Sequence, residues 1–113
     1  MRRDWSMRAR DVLEAVEKII SHTGNLDYEK FKNDAWMVDA TLRNLTVIGE
    51  AAAHIPQEVI EKHPEIPWVD MRDMRNIVVH EYFGVDLAIV WKTVKEDLPP
   101  LLPVLKRLTD SQD

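Results

Sequence analysis

The chain has 113 residues, 45% of them apolar, with 20 acidic residues against 15 Lys and Arg and a formal charge of −5 at pH 7. The sequence predicts one domain over 1–113, with a core at about 4–108 and a polar tail at 109–113. It argues against disorder, a secretory signal and a membrane span. The acidic net charge also argues against broad electrostatic coating of nucleic acid. The chain has no cysteine, which excludes disulfides and a thiolate nucleophile and favours a cytoplasmic location.

Apolar residues recur every three or four positions, and this spacing predicts helices. The first helix is expected over about residues 4–22, followed by a polar linker that contains Phe31. The second helix begins behind Asn33 or Asp34 and stops at Pro56, since proline cannot continue a helix.

Prolines and one glycine divide the second half of the chain into further helices. Pro56 suits the first position of a short helix, and Pro67 opens a third helix of about 15 residues in which Val69 is one of the apolar contacts. Gly84 ends that helix, and Asp86 is the expected N-cap of the next one, which a last short helix follows. The segments together predict an all-α fold, an up-and-down bundle of four to five helices.

The small size of this bundle also predicts a homodimer. A chain this short buries a modest share of its surface, and interfaces are enriched in aromatic residues. We expect the four tryptophans in the core or at the dimer interface rather than as base-stacking platforms: Trp5, Trp36, Trp68 and Trp91.

The third predicted helix contains the unusual chemistry. Its segment MRDMRNIVVHEYFG holds Arg72, Arg75, Asn76, His80 and Tyr82 among apolar residues. At about 100° per residue, Asn76 and His80 are one turn apart, and Arg75 and Tyr82 return to nearly the same face near the end of the helix. Arginine binds phosphate and histidine moves protons near neutral pH. On residue types alone, however, packing, capping and salt-bridge roles are more common.

No other pattern in the sequence indicates a metal or cofactor site. The four histidines lie far apart, three glycines cannot form a phosphate-binding loop, and Glu50 with His54 alone would be an incomplete metal site. We therefore expect neither a metal nor a cofactor. The remaining chemistry is metal-free phosphoryl transfer, for which RNA supplies its own nucleophile in the 2′-hydroxyl.

Residues 75–82 read RNIVVHEY, an R-x4-H-x-Y motif, with WVDMRDMRN before it and FGVDLAIVW after it. In this context the motif resembles the HepT branch of the HEPN proteins, and further matches extend over about residues 4–108. The resemblance implies helical homodimers that bring two R-x4-H segments to a shared cleft. It implies a metal-independent ribonuclease toxin, whose antitoxin partner is a minimal nucleotidyltransferase (MNT).

Carried over by position, the resemblance makes Arg75 and His80 catalytic. It makes Tyr82 the residue to which the partner transfers AMP from ATP. Arg75 would hold the pentacoordinate phosphate, His80 would move the proton, and Asn76 would orient the imidazole. The expected products are a 2′,3′-cyclic phosphate and a 5′-hydroxyl end.

Two further residues have open roles. Glu50 follows Gly49, which permits close approach of a second helix, and Glu50 either touches His80 or Arg75 in the cleft or is a surface residue or structural ion pair. Arg72 contacts RNA or the partner, or lies on a solvated face. A group of N-terminal arginines is expected to be ordinary surface charge: Arg2, Arg3, Arg8 and Arg10.

Two functions remain open from the sequence. The first is the ribonuclease toxin. The alternative is a non-catalytic helical dimer that binds a nucleotidyltransferase partner or a nucleotide without cleaving RNA.

Overall fold

A computed structural model describes the backbone of residues 2–82 and 87–110 and the side chains of residues 5–77 and 87–110. Within these ranges the chain is all-helical, without a β-strand, and none of the helices is long and apolar enough to cross a membrane. The seven α-helices are α1 (Arg2–Thr23), α2 (Tyr28–Lys32), α3 (Ala35–Ala53), α4 (Gln57–Lys62), α5 (Trp68–Tyr82), α6 (Leu87–Lys92) and α7 (Leu101–Asp110).

The three longest helices form the centre of the bundle, with α3 packed against both α1 and α5. Helix α3 begins as predicted behind Asp34, whose side chain accepts a hydrogen bond from the Met37 N–H at 3.0 Å. Apolar residues of all seven helices join one connected core. The all-α class and the helical bundle are therefore confirmed. Side chains from the three longest helices are fully or almost fully buried in that core: Val12, Val16, Leu45, Ile48, Met71 and Met74.

The bundle has seven helices in its described part instead of four to five, because four of them have ten residues or fewer. The linker prediction is wrong: it contains α2, capped by Asp27, whose side chain accepts from the Lys30 N–H at 2.8 Å. Phe31 is fully buried, with its ring centroid 4.8 Å from that of Trp91. Two aromatic residues, Tyr28 and Phe31, in a five-residue helix are too few to make a periodic pattern, so the sequence did not indicate this helix.

Prolines set two helix starts, one of them a residue later than predicted. Pro56 is the N-cap of α4, with extended backbone at φ −63° and ψ 148°, and not its first helical residue. Helix α5 begins directly after Pro67 and has 15 residues, as predicted. The predicted stop at Gly84 and the predicted N-cap Asp86 lie outside the described residues.

Helix α6 continues into a π-helical segment over Thr93–Asp97, in which the Leu98 N–H donates to the Thr93 carbonyl at 3.1 Å. From this segment, the Lys95 ammonium lies 4.7 Å from the Trp91 ring centroid and donates to the Thr23 carbonyl at 3.1 Å. Since Thr23 ends α1, Lys95 caps that helix across the bundle.

Two large apolar side chains near helix starts lie outside the core of the protomer. Trp68 is buried, and Trp5 and Trp91 pack partly buried against the core, but Trp36 is 87% exposed and Val69 is 57% exposed. Both are the second residue of their helices, where the chain enters at the edge of the bundle. The apolar contact predicted for Val69 is wrong. Trp36 is not in the core, and the alternative expected for it, a place at the dimer interface, stays a prediction.

Candidate active site

Helices α3 and α5 make the most extensive helix-to-helix contact in the described part of the chain, and Gly49 lies within it. A Cβ at position 49 would lie 2.8 Å from the Arg75 Cβ, 2.9 Å from the Arg75 backbone nitrogen and 3.0 Å from the Arg72 carbonyl oxygen. These separations are shorter than van der Waals contact, so a larger residue would push the helices apart. The close approach predicted at Gly49 is confirmed.

Arg75 and Glu50 form an ion pair at this crossing. The Arg75 Nη1 donates to Glu50 Oε2 at 2.6 Å, and the two side chains are 40% and 50% exposed. The structure thus places Glu50 against Arg75, one of the two contacts expected for it. An ion pair this exposed stabilises a fold by only about 0.2–1 kcal/mol. Its main consequence is therefore geometric, because it fixes the guanidinium beside the crossing of the two helices.

The Arg75 guanidinium keeps donors for a ligand while it is held in this pair. A guanidinium stays charged at all relevant pH values and has five N–H groups in a planar fork. Within residues 5–77 and 87–110, Glu50 accepts from this guanidinium and engages one of its nitrogens. With two fifths of the side chain exposed, the remaining donors can reach a phosphate that approaches from solvent.

Arg72 and Asn76 extend the polar surface around Arg75. Both are exposed, and they lie three residues before and one residue after it on α5. Arg72 and Asn76 are also one turn apart, so the three side chains belong to one stretch of the helix surface. Among the described residues, Arg72 lies near the carboxylate of Asp73, with Nε and Oδ1 3.8 Å apart. This distance is too long for a hydrogen bond.

His80 and Tyr82 share a rigid backbone with Arg75, because α5 is uninterrupted to residue 82. Five residues of helix separate His80 from Arg75 by about 7.5 Å along the axis. As expected, His80 and Tyr82 fall in the last turn. Their side chains lie outside the described residues, so their predicted roles stay predictions.

A metal centre is not formed by the side chains that the structure describes. No three His, Cys, Asp or Glu residues come together there. Glu50 pairs with Arg75, and the His54 Nδ1 lies 2.7 Å from the Glu50 carbonyl oxygen, to which it can donate. A reaction without metal remains a prediction that chelation of metal ions can test.

Helix α5 also borders a groove of about 620 Å³ that the sequence did not predict. Its lining comes from α5, the π-helical segment, α7 and the turns before α5 and α7, and the described lining residues include no Lys or Arg. Its carboxylates are separated along the chain, so no sequence pattern reveals them. We call this region the acidic groove. Its apolar lining includes Met74, Ile77, Leu101 and Val104, and its carboxylates are Glu65, Asp70, Glu96 and Asp97.

The sequence matches the family described as Ribonuclease HepT-like over residues 12–108, a range that contains both Glu50 and the R-x4-H-x-Y motif. The chain belongs to this family. It is 42% identical over 108 residues to the "Probable ribonuclease HepT" of Thermococcus cleftensis, with 96% of this chain and 98% of the relative covered. It is 40% identical over 100 residues to the "Putative RNase MJ1380" of Methanocaldococcus jannaschii, with 88% and 92% covered. No solved structure gives a significant match.

Proposed function

We propose that this protein is an endoribonuclease and the toxin of a toxin–antitoxin pair. The observation that carries this proposal is the R-x4-H-x-Y motif on one continuous helix, with Arg75 held half-exposed at the α3–α5 crossing. Membership of the HepT-like family and the ribonuclease names of close relatives support the same class of reaction.

The reaction uses a nucleophile from the substrate. The RNA 2′-oxygen attacks the adjacent phosphorus, the bond from phosphorus to the 5′-oxygen breaks, and a 2′,3′-cyclic phosphate and a 5′-hydroxyl form. Arg75 stabilises the charge on the phosphoryl oxygens through its remaining N–H donors. His80 takes the 2′-hydroxyl proton or protonates the leaving 5′-oxygen, and Asn76, one turn earlier, orients it. This chemistry needs no metal or cofactor.

A homodimer completes the site in this proposal. Two copies bring two R-x4-H segments to a shared cleft, so that one His80 acts as base and the other as acid. The exposure of Arg75 supports this arrangement, because its guanidinium is accessible from outside the protomer. Exposed Arg72 adds a phosphate contact on the same surface of α5.

The partner in this proposal is an MNT nucleotidyltransferase in the same cytoplasm. It transfers AMP from ATP to the Tyr82 hydroxyl and releases pyrophosphate. The added phosphate blocks RNA by its bulk and its negative charge. We expect an AMP mass increase with partner and ATP in the wild type and in Tyr28→Phe, which changes the only other tyrosine, but not in Tyr82→Phe. An increase that persists in Tyr82→Phe would assign the modification to another residue.

RNA cleavage by the purified, unmodified protein in excess EDTA tests the proposed activity. We expect cyclic-phosphate products, and a loss of rate of about 10²–10³-fold in Arg75→Ala and in His80→Ala. Arg107→Ala removes an exposed arginine of α7 and serves as the control with the wild-type rate. If wild-type protein leaves RNA intact, the proposal fails in favour of the non-catalytic dimer that binds a nucleotidyltransferase or a nucleotide.

A further inference from the structure

Glu50 occupies a position that its own helix does not favour. It lies in the last turn of α3, where the helix dipole disfavours an anion, and that turn contains no basic residue. The compensating charge comes from Arg75, 25 residues later and on a different helix. The positive charge that pairs with Glu50 therefore comes from a tertiary contact and not from a basic residue in the same turn of α3.

The backbone around this pair is tightly fixed. Gly49 is buried, and there is no room for even a Cβ between it and the backbone of α5 at Arg72 and Arg75. Glu50 is the next residue, so its Cα is held at a set distance from Arg75. The arginine side chain has several rotatable bonds and, without a partner, samples many rotamers. A carboxylate 2.6 Å from Nη1 selects those in which the guanidinium lies at the crossing.

We propose that Glu50 is the positioning residue for Arg75: its carboxylate holds Nη1 and thereby directs the other guanidinium N–H groups toward the phosphate of a bound RNA. This inference rests on the proposed ribonuclease activity. Glu50 itself does not touch the reacting atoms in this arrangement. Preorganising Arg75 before RNA binds removes an ordering cost from the reaction step.

The carboxylate has two opposite effects on RNA. It orders Arg75, which favours the reaction, and it adds a negative charge beside the phosphate, which disfavours binding. Loss of Glu50 therefore lowers kcat while KM falls or stays the same. A purely structural role would lower thermal stability and the active fraction instead. The split between kcat and KM identifies positioning.

The experiment measures kcat and KM on an RNA oligonucleotide for Glu50→Ala and Glu50→Gln, with thermal unfolding of each variant. We expect kcat to fall by about two- to fivefold in Glu50→Ala with no rise in KM, which is the size of effect that an ion pair this exposed can supply. Glu50→Gln keeps an acceptor oxygen and gives an intermediate kcat. Asp39→Asn, which neutralises another exposed carboxylate of α3, keeps the wild-type kcat. A wild-type kcat in Glu50→Ala, or a raised KM with kcat unchanged, would overturn the inference.

A second readout separates this inference from the proposed activity. NMR of the Arg75 guanidinium in protein without RNA should show restricted rotation in the wild type and fast rotation in Glu50→Ala. Equal rotation in both proteins would overturn positioning by Glu50 even if Arg75→Ala abolishes cleavage. If instead Arg75→Ala cleaves RNA normally, the proposed activity has failed while the NMR result still reports on the pair.

Discussion

The two regions that α5 borders differ in charge. At the crossing with α3, Arg75 and Arg72 are half-exposed, and Glu50 engages one guanidinium nitrogen. In the part of the chain that the structure describes, the acidic groove is lined by four carboxylates and by neither Lys nor Arg. The charges of Arg72 and Arg75 are balanced by those of Asp73 and Glu50, whereas the carboxylates of the groove are unbalanced among the described lining residues, so a phosphate backbone is repelled less at the crossing than at the groove. In a chain with a net charge of −5, the proposed RNA contact therefore depends on one local surface where acidic side chains are paired with arginines.

The two regions also differ in how they are packed. The crossing is closed, because Gly49 lies against the backbone of α5. The acidic groove is open to solvent and contains two carboxylates of the π-helical segment, Glu96 and Asp97. Tight packing suits a site that must hold a guanidinium in place, since small displacements slow catalysis strongly. Substitutions in each region test whether RNA binding and cleavage depend on the crossing and not on the groove.

The largest effect is expected for Gly49→Ala. The added Cβ would meet backbone atoms of α5 at 2.9 and 3.0 Å, so the helices must move apart. We expect a loss of about 1–3 kcal/mol in the free energy of unfolding and a fall in kcat of about 10²-fold as Arg75 shifts. Urea unfolding and cleavage assays measure the two effects. Ala53→Ser, which adds one atom at the exposed end of α3, is the control. Wild-type stability in Gly49→Ala would contradict the close crossing.

An intermediate effect is expected for Arg72→Ala. Loss of one phosphate contact weakens RNA binding without changing the cleavage position. The slope of log affinity against log salt should fall by about 0.7, the value for one contact to a single strand. Titrations of labelled RNA at several salt concentrations measure it, with Arg107→Ala as the matched loss of charge. An unchanged slope would remove Arg72 from the RNA-binding surface.

The smallest effect is expected for neutralising the acidic groove. In the double variant Glu96→Gln, Asp97→Asn, we expect kcat and KM to stay within about twofold of wild type, as for surface changes distant from a site. The measurement uses about 0.15 M salt, where charges are screened beyond about 8 Å. A clearly tighter RNA affinity would show that RNA also approaches the groove. It would contradict the proposal that RNA contacts α5 at its crossing with α3 and not at the groove.

The sequence predicted the helices that show a pattern among residues close together in the chain. The spacing of apolar residues located α1, α3 and α5, and the motif placed Arg75, His80 and Tyr82 on one helix because all three lie within eight consecutive residues. Helix α2 was not predicted because its five residues are too few to show a period in their apolar positions. Burial at helix starts, as for Trp36 and Val69, depends on which neighbour reaches the edge of the bundle, which a stripe pattern does not contain.

One residue of the candidate site, Gly49, indicated a contact between two helices from the sequence alone. Gly49 within the predicted second helix indicated a close helix approach, and Glu50 beside it was expected to contact Arg75 or His80 or to be a surface residue. The choice between Arg75 and His80 as its neighbour needed the geometry of the crossing. The acidic groove was beyond the sequence, because its carboxylates come from separate segments between residues 65 and 97.

We propose that RNA binds at the α3–α5 crossing. Changes in the backbone amide chemical shifts on titration with RNA test this most directly. The titrant is an RNA with 2′-O-methyl groups, which lacks the nucleophile and so is not cleaved by wild-type protein. We predict shifts for residues 45–53 and 71–77, and none for residues 93–104 of the π-helical segment and α7. Shifts confined to residues 93–104, with the crossing unaffected, would contradict the claim.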